Sequence, residues 1–290
     1  MPNNLADLDL HLRSHGGIVS VSRAPHLRRI AHRASADGLL VPVLRGVYVE
    51  RCLAQDPATL SRALLLKHPN AVILGRAAAH LSFMPELPVP RVTAAAEACD
   101  TSHFAFSEQQ VPPEWVVTRA GIRTTSVAMT AVDLIPELGS DPVDAALRHA
   151  GRHGHDMLEL MWRALAARPG RVGNRVRAEV LHDSRGIPWS AAERLSHRHL
   201  RAAHIKGWKA NLPVCLGGEN FFLDVAFEGK RCLEIDGWET HKDRESFERD
   251  RHKRNLLNDH GWEVRVFTWR SLQDAPAFID AVRNLLARGR

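Results

Sequence analysis

The 290-residue sequence has few cysteines and no long apolar run. No window approaches the roughly 18 consecutive apolar residues that predict a transmembrane helix. The N-terminal segment carries Asp7, Asp9 and scattered His and Arg, whereas a secretion signal has a charged start followed by an apolar stretch. These absences predict a soluble, cytoplasmic protein that makes no membrane contact.

The four cysteines are too far apart for the usual cysteine-based sites. They are Cys52, Cys99, Cys215 and Cys232. Structural zinc sites use closely spaced pairs and disulfide frameworks are dense in cysteine, so neither is predicted. We expect reduced thiols, most of them packed inside the protein.

Positive charge is in modest excess and is unevenly distributed. The formal net charge is +6. From His11 to Val49, six arginines accompany a single acidic residue, whereas from Cys52 to Pro142 nine acidic residues outnumber six basic ones. Concentrated positive charge attracts polyanions such as DNA, in a salt-dependent way. The sequence therefore predicts a nucleic-acid contact near the N-terminus and none in the middle.

The N-terminal region has the pattern of small helices followed by a β-hairpin. A helix is predicted over residues 5–14, and a second helical stretch starts near Pro25. Two apolar runs within residues 39–49 predict the hairpin, although Pro42 weakens its first strand. This order predicts a winged helix over residues 1–50.

Three motifs in this region resemble the winged-helix N-terminus of AbiEi-type antitoxin proteins: Gly17-Ile18-Val19-Ser20, Leu39-Leu40 and Arg45-Gly46-Val47-Tyr48-Val49. The resemblance implies duplex DNA as a partner and a toxin protein as a second one. It places five residues on DNA, with the last in the wing: Ser22, Arg28, Arg29, Arg33 and Arg45. The alternative is a solvated basic face that packs on the rest of the chain.

Residues 51–150 have a mixed α/β pattern. The predicted elements are helices at 60–66 and 77–83 and strands at 71–74 and 115–118. Thr124-Thr125-Ser126, followed by Ala131-Val132-Asp133-Leu134, resembles the companion region of the AbiEi-type proteins. Residues 151–187 predict a connector with one helix at 157–167 and a linker.

Residues 188–290 predict a compact α/β domain. Ser190 and Glu193 have the capping-box spacing that opens a helix, which would run to about residue 205. The elements predicted after it are a loop at 213–218, strands at 221–227 and 232–236, a helix at 243–259 and a strand at 262–267. The whole chain is therefore predicted to be a multi-domain α/β protein.

Three carboxylates interrupt the apolar strands of this last domain: Asp224, Glu234 and Asp236. Desolvating an unpaired charge is costly, so buried strands seldom carry such residues without a purpose. Period-two geometry puts Glu234 and Asp236 on one face. Asp224 joins them only if the turn has an odd length, as in a three-residue loop at 228–230, which would bring the Cβ atoms of Asp224 and Glu234 to about 5 Å. Such hard oxygen ligands suit Mg²⁺ or Mn²⁺.

Residues 188–272 resemble the Vsr-like endonuclease-related domains of the PD-(D/E)XK nuclease superfamily. The resemblance covers Glu193, Asp224-Val-Ala, Glu234-Ile-Asp236-Gly237, His241, Arg249-Asp250-x-x-x-Arg254 and Gly261-Trp262. It implies a restriction-endonuclease-like fold. It also implies that Asp224 and Glu234 hold the metal, with help from the backbone carbonyl of Ile235.

The chain departs from the superfamily pattern at Asp236, which stands where the motif lysine would be. His241 is the best substitute, because it resembles the histidine that Vsr-type repair nucleases use as a general base. Its alternative role is to cap the next helix or to bond a neighbouring carboxylate. For Glu193, the capping box and a role near the metal stay equally open.

The polar helix that follows carries Arg249, Lys253 and Arg254 on one side. Its acidic and basic residues have the spacing of helical ion pairs, so we expect a largely solvated face, with phosphate contact as the alternative. For Trp238 and Trp269, packing is favoured over stacking on bases.

These observations favour a metal-dependent DNA endonuclease or nickase that a winged helix recruits to duplex DNA, in defence, repair or mobile-element maintenance. The alternative is a non-enzymatic transcriptional regulator, similar to an antitoxin, that carries a degenerate nuclease fold. The missing motif lysine favours the regulator, whereas the retained acids and His241 favour the enzyme. A third hypothesis gives the middle and C-terminal regions a role in binding a toxin.

Overall fold

The computed structural model describes residues 4–236 and 244–287 and divides the chain into two compact units. The N-terminal unit is Met1–Leu134 and the C-terminal unit is Ile135–Arg290. Each combines α-helices with β-sheet, so the predicted α/β class is confirmed. None of the helices in the described ranges is long and apolar enough to cross a membrane.

The N-terminal unit begins with two helices and a three-stranded sheet. The elements are α1 (Asn4–Ser14), β1 (Ile18–Ser20), a 3₁₀ turn (Pro25–Leu27), α2 (Arg28–Ala36), β2 (Leu40–Leu44) and β3 (Val47–Glu50). The strand order is β1-β3-β2, and β2 and β3 form the predicted hairpin. Pro42 is exposed on the edge strand β2, where a missing backbone N–H is tolerated.

The rest of this unit is a five-stranded sheet with helices. The elements are α3 (Pro57–Lys67), β4 (Val72–Leu74), α4 (Gly75–His80), β5 (Val92–Ala95), β6 (Phe104–Ser107), β7 (Val116–Arg119), β8 (Ile122–Thr125) and α5 (Val127–Leu138), whose last four residues belong to the C-terminal unit. The strand order is β6-β5-β4-β8-β7. The sequence predicted β4 and β7 but not β5, β6 or β8. One apolar core holds the two sheets together, since Val47 and Val49 of the hairpin pack in the same cluster as Leu64 and Phe104.

The C-terminal unit is a four-stranded sheet between helices. The elements are α6 (Asp141–Ala150), α7 (Gly154–Ala166), α8 (Asn174–Asp183), α9 (Ala191–Ala202), β9 (Trp208–Leu216), β10 (Glu219–Phe227), β11 (Arg231–Asp236), α10 (Arg244–Asp259), β12 (Glu263–Thr268), α11 (Trp269–Leu272) and α12 (Ala275–Ala287). The strand order is β12-β11-β10-β9, with β11 and β12 parallel and the other pairs antiparallel.

Two predictions for this unit were wrong. The predicted loop at 213–218 is mostly strand, because β9 runs to Leu216 and Pro213 is exposed on the edge of the sheet. The segment predicted as a linker after residue 167 contains the helix α8. The helix opened by Ser190, the strands β10 and β11, and the polar helix α10 lie where the sequence predicted them.

The sheet of the C-terminal unit has two buried faces. Its α9 face packs against α9, α11 and α12 through residues such as Val225, Leu233 and Ile235. Its α10 face packs against Leu257 of α10 through Ala226 and Cys232. Alternate residues along β11 therefore point to opposite layers, and Glu234 shares the α10 face with Cys232.

The cysteines are free thiols, as predicted, but their burial was not predicted correctly. Cys52, Cys99 and Cys215 are exposed, and Cys232 is fully buried. Burial raises the pKa of the Cys232 thiol to about 12, with further repulsion from Glu234. Cys215 is exposed because it alternates with buried residues on the edge strand β9.

Candidate functional site

The hairpin between β10 and β11 closes with a three-residue loop, as predicted. Phe227 pairs with Arg231 and Val225 with Leu233, which leaves the loop at residues 228–230. Gly229 and Lys230 both have positive φ, at 75° and 53°, and glycine adopts this conformation without strain. The same register, continued by one residue, places Asp224 opposite Glu234.

Asp224 lies where strand β10 changes face. Leu223 packs on the α10 face and Val225 on the α9 face, although residues two apart on a regular strand share a face. Asn211, at the matching position of β9, has a φ of 47°. The Oδ2 atom of Asp224 accepts a hydrogen bond from the backbone N–H of Ile235 at 2.6 Å. The carboxylate is thereby fixed across the hairpin, beside Glu234.

Glu234 is buried and forms an ion pair with Lys253 of α10. The Nζ atom of Lys253 also donates to the carbonyl oxygen of Phe222 at 2.7 Å, so the lysine bridges β11 and β10. Its side chain is only 18% exposed. The prediction that Lys253 belongs to a solvated face was therefore wrong. Within the described residues, Oε1 of Glu234 is buried without a hydrogen-bond partner.

Asp224, Glu234 and Lys253 are called the carboxylate cluster below. Glu193, in the first turn of α9, lies near Asp224 of this cluster. Its carboxylate accepts hydrogen bonds from the backbone N–H of Trp189 at 2.8 Å and the hydroxyl of Ser190 at 3.0 Å. The Ser190 hydroxyl in turn accepts from the backbone N–H of Glu193 at 3.2 Å. The capping role open from the sequence is therefore present. Glu193 is also only 6% exposed, which the capping of an ordinary surface helix does not require.

The carboxylates influence one another electrostatically. Burial, followed by repulsion from Asp224, raises the pKa of Glu193 to about 8 and that of Glu234 to about 7. Burial also raises the pKa of Asp224, while the ammonium of Lys253 and the N–H of Ile235 oppose this rise. One lysine thus partly compensates several buried acids, and a further cation would be stabilised there.

Two carboxylates are available for a divalent cation. Asp224 and Glu234 offer hard oxygen atoms, which suit Mg²⁺ or Mn²⁺, and Glu234 has an oxygen without a protein partner in the described structure. The described residues contain no group of three His, Cys, Asp or Glu side chains placed to hold a metal ion. A cation bound by Asp224 and Glu234 would therefore need further oxygen ligands.

Asp236 lies beyond Glu234 at the end of β11. Its carboxylate is 3.5 Å from the guanidinium of Arg254, and both side chains are more than a third exposed. The position where the resemblance leads us to expect a lysine is therefore acidic, while the ammonium group of Lys253 reaches Glu234 from α10. His241 and Trp238 lie outside the described residues. Trp269 is partly buried and packs on the α9 face, in keeping with the packing interpretation.

The N-terminal unit presents the predicted DNA-contacting residues on its surface. All five are exposed: Ser22, Arg28, Arg29, Arg33 and Arg45. Arg28 of α2 and Arg45 of the hairpin turn line one cleft of about 690 Å³. His32, also in this cleft, is hydrogen-bonded to the Tyr48 hydroxyl at 3.2 Å. Side chains of α2 and of the β2–β3 hairpin thus line a common basic cleft.

Comparison of the chain with protein-family models, with curated proteins and with solved structures gives no match. The functional interpretation therefore depends on the residues of the two sites themselves.

Sequence reasoning missed Lys253 as a member of the cluster. A signal was present, because Lys253 lies one helical turn before the buried Leu257 and so shares its inward side. The neighbouring arginines and acids of α10 have the spacing of helical ion pairs, and this pattern favoured a solvated face instead.

Proposed function

We propose that the chain is a metal-dependent DNA endonuclease or nickase with a restriction-endonuclease-like C-terminal domain and a winged-helix N-terminal domain. The observation that carries the proposal is the convergence of Asp224, Glu234 and Lys253 from two strands and a helix. Two carboxylates that can hold a cation, beside an ammonium group that can stabilise negative charge, suit the hydrolysis of a phosphodiester.

Asp224 and Glu234 would hold Mg²⁺ or Mn²⁺, with the Ile235 carbonyl as the additional ligand that the superfamily resemblance implies. When bound, such a cation neutralises charge on the phosphate and lowers the pKa of water. The hydrogen bond from Ile235 N–H restrains the Asp224 carboxylate, so the ligand pair is positioned before the cation arrives.

Lys253 would supply the positive charge that the motif lysine provides elsewhere in the superfamily. Its ammonium group already contacts the Glu234 carboxylate, so a phosphate bound at the two acids lies within its electrostatic reach. In this proposal the acid at position 236 does not abolish catalysis, because Lys253 of α10 takes over the role of the missing motif lysine. His241 would assist proton transfer to or from the attacking water, as the resemblance implies.

The basic surface of α2 and the wing would bring the enzyme to duplex DNA. Arg28, Arg29 and Arg33 are free to contact phosphates because the buried residues of α2 are the alanines Ala31 and Ala34. A winged helix of the AbiEi type would also accommodate a toxin protein as partner.

The test is plasmid nicking by the pure protein in Mg²⁺ and in Mn²⁺, alongside Asp224→Asn and Glu234→Gln. We expect nicking by the wild type and none by either variant. If the wild type binds DNA but shows neither ion binding nor cleavage across metals and DNA forms, the enzyme proposal fails and a DNA-binding regulator takes its place. Nicking that appears only in Asp236→Lys would identify a degenerate nuclease.

A further inference from the structure

A cavity of about 540 Å³ in the C-terminal unit is lined by cationic side chains. The basic residues around it are Arg152, His155, Arg185, Arg201 and Lys209. No aspartate or glutamate lines it among the residues that the structure describes. Its volume is that of a small-ligand site, which spans about 300 to 1,000 Å³. A cavity of this size and sign attracts an anion.

Arg201 is held in the cavity without full use of its hydrogen-bonding groups. Its guanidinium lies 5.5 Å from the ring centre of Trp208, and its Nη1 atom is buried with no partner within the described chain. Gly186 lies against it, since a Cβ there would come too close to Arg201 Nη2 and His197 Nδ1 unless one of these side chains moved. An unused buried N–H of a guanidinium is costly and is commonly satisfied by a carboxylate or phosphate.

The positive charges near Arg201 are not neutralised locally. Burial, followed by repulsion from Arg185, lowers the pKa of Arg201. The nearby Asp183 opposes this shift, but its carboxylate is already engaged by Arg194 and Arg198. An anion between Arg185 and Arg201 would relieve their repulsion.

Asn211 adds a hydrogen-bond acceptor to the cavity wall. It is 9% exposed, and its Nδ2 donates to the carbonyl oxygen of Ile187 at 2.6 Å. Its Oδ1 is buried and has no partner in the parts of the chain that are described. Asn211 and Ile187 both have left-handed backbone conformations, with φ of 47° and 50°. The Asn211 side chain is thereby fixed at the cavity wall with an unused acceptor.

The cavity adjoins the carboxylate cluster through strands β9 and β10. Phe222 lines the cavity, and its carbonyl accepts the hydrogen bond of Lys253. Asn211 occupies the β9 position that matches Asp224. The cavity and the two carboxylates are therefore connected through neighbouring residues of β9 and β10.

We propose that this cavity binds the phosphate of a nucleotide, with Arg185, Arg201 and Lys209 facing the phosphate and Asn211 accepting from the rest of the nucleotide. The nucleotide belongs either to a nucleic-acid strand or to a free mononucleotide. The strand as source rests on the proposed nuclease function, whereas the phosphate chemistry does not.

The test uses the full chain carrying Arg28→Ala, Arg29→Ala and Arg33→Ala, so that binding through α2 is removed. A fluorescent single-stranded oligothymidylate is titrated in EDTA over a range of salt, and dAMP is titrated by calorimetry. Arg185→Gln with Lys209→Gln is the test variant, since both side chains are exposed cavity residues. Lys206→Gln is the matched control, because Lys206 is equally exposed and lies outside the lining.

We expect the double variant to weaken oligonucleotide binding on the order of tenfold and to flatten the salt dependence by about 0.7 for each phosphate that is no longer neutralised. Lys206→Gln should leave both quantities unchanged. If dAMP binding alone responds, the cavity serves a free nucleotide. If neither ligand responds, or if Lys206→Gln weakens binding equally, the proposal is overturned.

Cleavage assays on the wild type, run beside these titrations, separate the two proposals. Oligonucleotide binding that depends on the cavity, in a wild-type protein that never cleaves DNA, would refute the nuclease and leave the phosphate site standing. Cleavage by the wild type, with binding of both ligands unchanged in the cavity variants, would do the reverse.

Discussion

Lys253 of α10 forms an ion pair with Glu234 of β11, across 19 positions of the chain. The lysine compensates Glu234 directly and Asp224 through space. This single ion pair ties the helix to the sheet at the candidate site, and it provides the most direct test of the roles assigned there.

Replacing Lys253 with Met should destabilise the protein and slow cleavage. Breaking a buried pair typically costs about 3–5 kcal/mol, and because Lys253 is partly exposed we expect about 2–3 kcal/mol in urea unfolding. Adding Mn²⁺ should raise the unfolding free energy of Lys253→Met by more than that of the wild type, because a bound cation replaces the missing positive charge.

The matched control is Arg254→Met, on the same helix. Its pair with Asp236 is half-exposed, and such pairs contribute about 0–1 kcal/mol. An equal loss of stability in both variants would mean that α10 is destabilised in general and that Lys253 has no special role.

Asp224→Asn and Glu234→Gln should remove divalent-ion binding, measured by calorimetry, together with nicking. The amide oxygen of Asn can still accept from Ile235 N–H, so the hairpin should keep its geometry. Asp236→Asn should retain ion binding, since Asp236 is not assigned to the cation. Wild-type affinity in Asp224→Asn would refute the ligand pair.

The ionisation of Glu193 and Glu234 should lower stability as pH rises from about 4.5 to about 8. The pKa of Glu193 is raised from 4.5 to about 8 and that of Glu234 from 4.5 to about 7. The folded state therefore keeps protons that the unfolded chain has released, and their stabilising contribution disappears as pH rises through about 7 to 8. Each group can contribute a slope of up to about 1.4 kcal/mol per pH unit.

The measurement is the urea unfolding free energy between pH 6.5 and 9, compared with Glu193→Gln. The pKa of His197 is lowered from 6.5 to about 3, mainly by burial. Below pH 6.5 this histidine makes stability rise with pH, so the chosen window excludes its contribution. The fall should be shallower in Glu193→Gln and unchanged in the control Glu248→Gln, on the exposed face of α10. Equal slopes in wild type and Glu193→Gln would contradict the assignment.

Alanine at Arg28, Arg29 and Arg33 should weaken duplex binding and reduce its salt dependence by about 0.9 for each phosphate that these arginines neutralise. Arg62→Ala with Arg119→Ala is the control, since both arginines are exposed elsewhere in the N-terminal unit. Fluorescence anisotropy over a salt series measures both quantities. An unchanged slope would assign DNA binding to the C-terminal unit.

His241→Ala should leave ion binding largely intact and slow cleavage by roughly 10²- to 10⁴-fold, as expected for removal of a general base. Single-turnover nicking over a pH series checks this. Complete loss of ion binding in His241→Ala would make the histidine a ligand or a structural residue instead.

Local sequence signals were sufficient to predict several helices and strands of the C-terminal unit. The Ser190 capping box marked the start of α9, and the odd-loop requirement, together with Gly229, gave the register of β10 and β11 correctly. These features depend on neighbours close in the chain, where backbone geometry limits the choices.

Long-range features were not predictable in the same way. Pro213 concealed β9, because its tolerance depends on the strand lying at the edge of the sheet, which only the complete topology decides. The face change at Asp224 and the inward position of Lys253 likewise depend on how two layers pack on one sheet. Spacing along α10 alone favoured a solvated face.

The buried Cys232 gives the protein an internal chemical reporter. A thiol reagent should label Cys52, Cys99 and Cys215 rapidly in the folded state, whereas Cys232 can react only when the sheet and α10 separate. Its labelling rate would therefore measure local opening at the carboxylate cluster. This rate needs no substrate, and it should slow when a cation holds the carboxylates together.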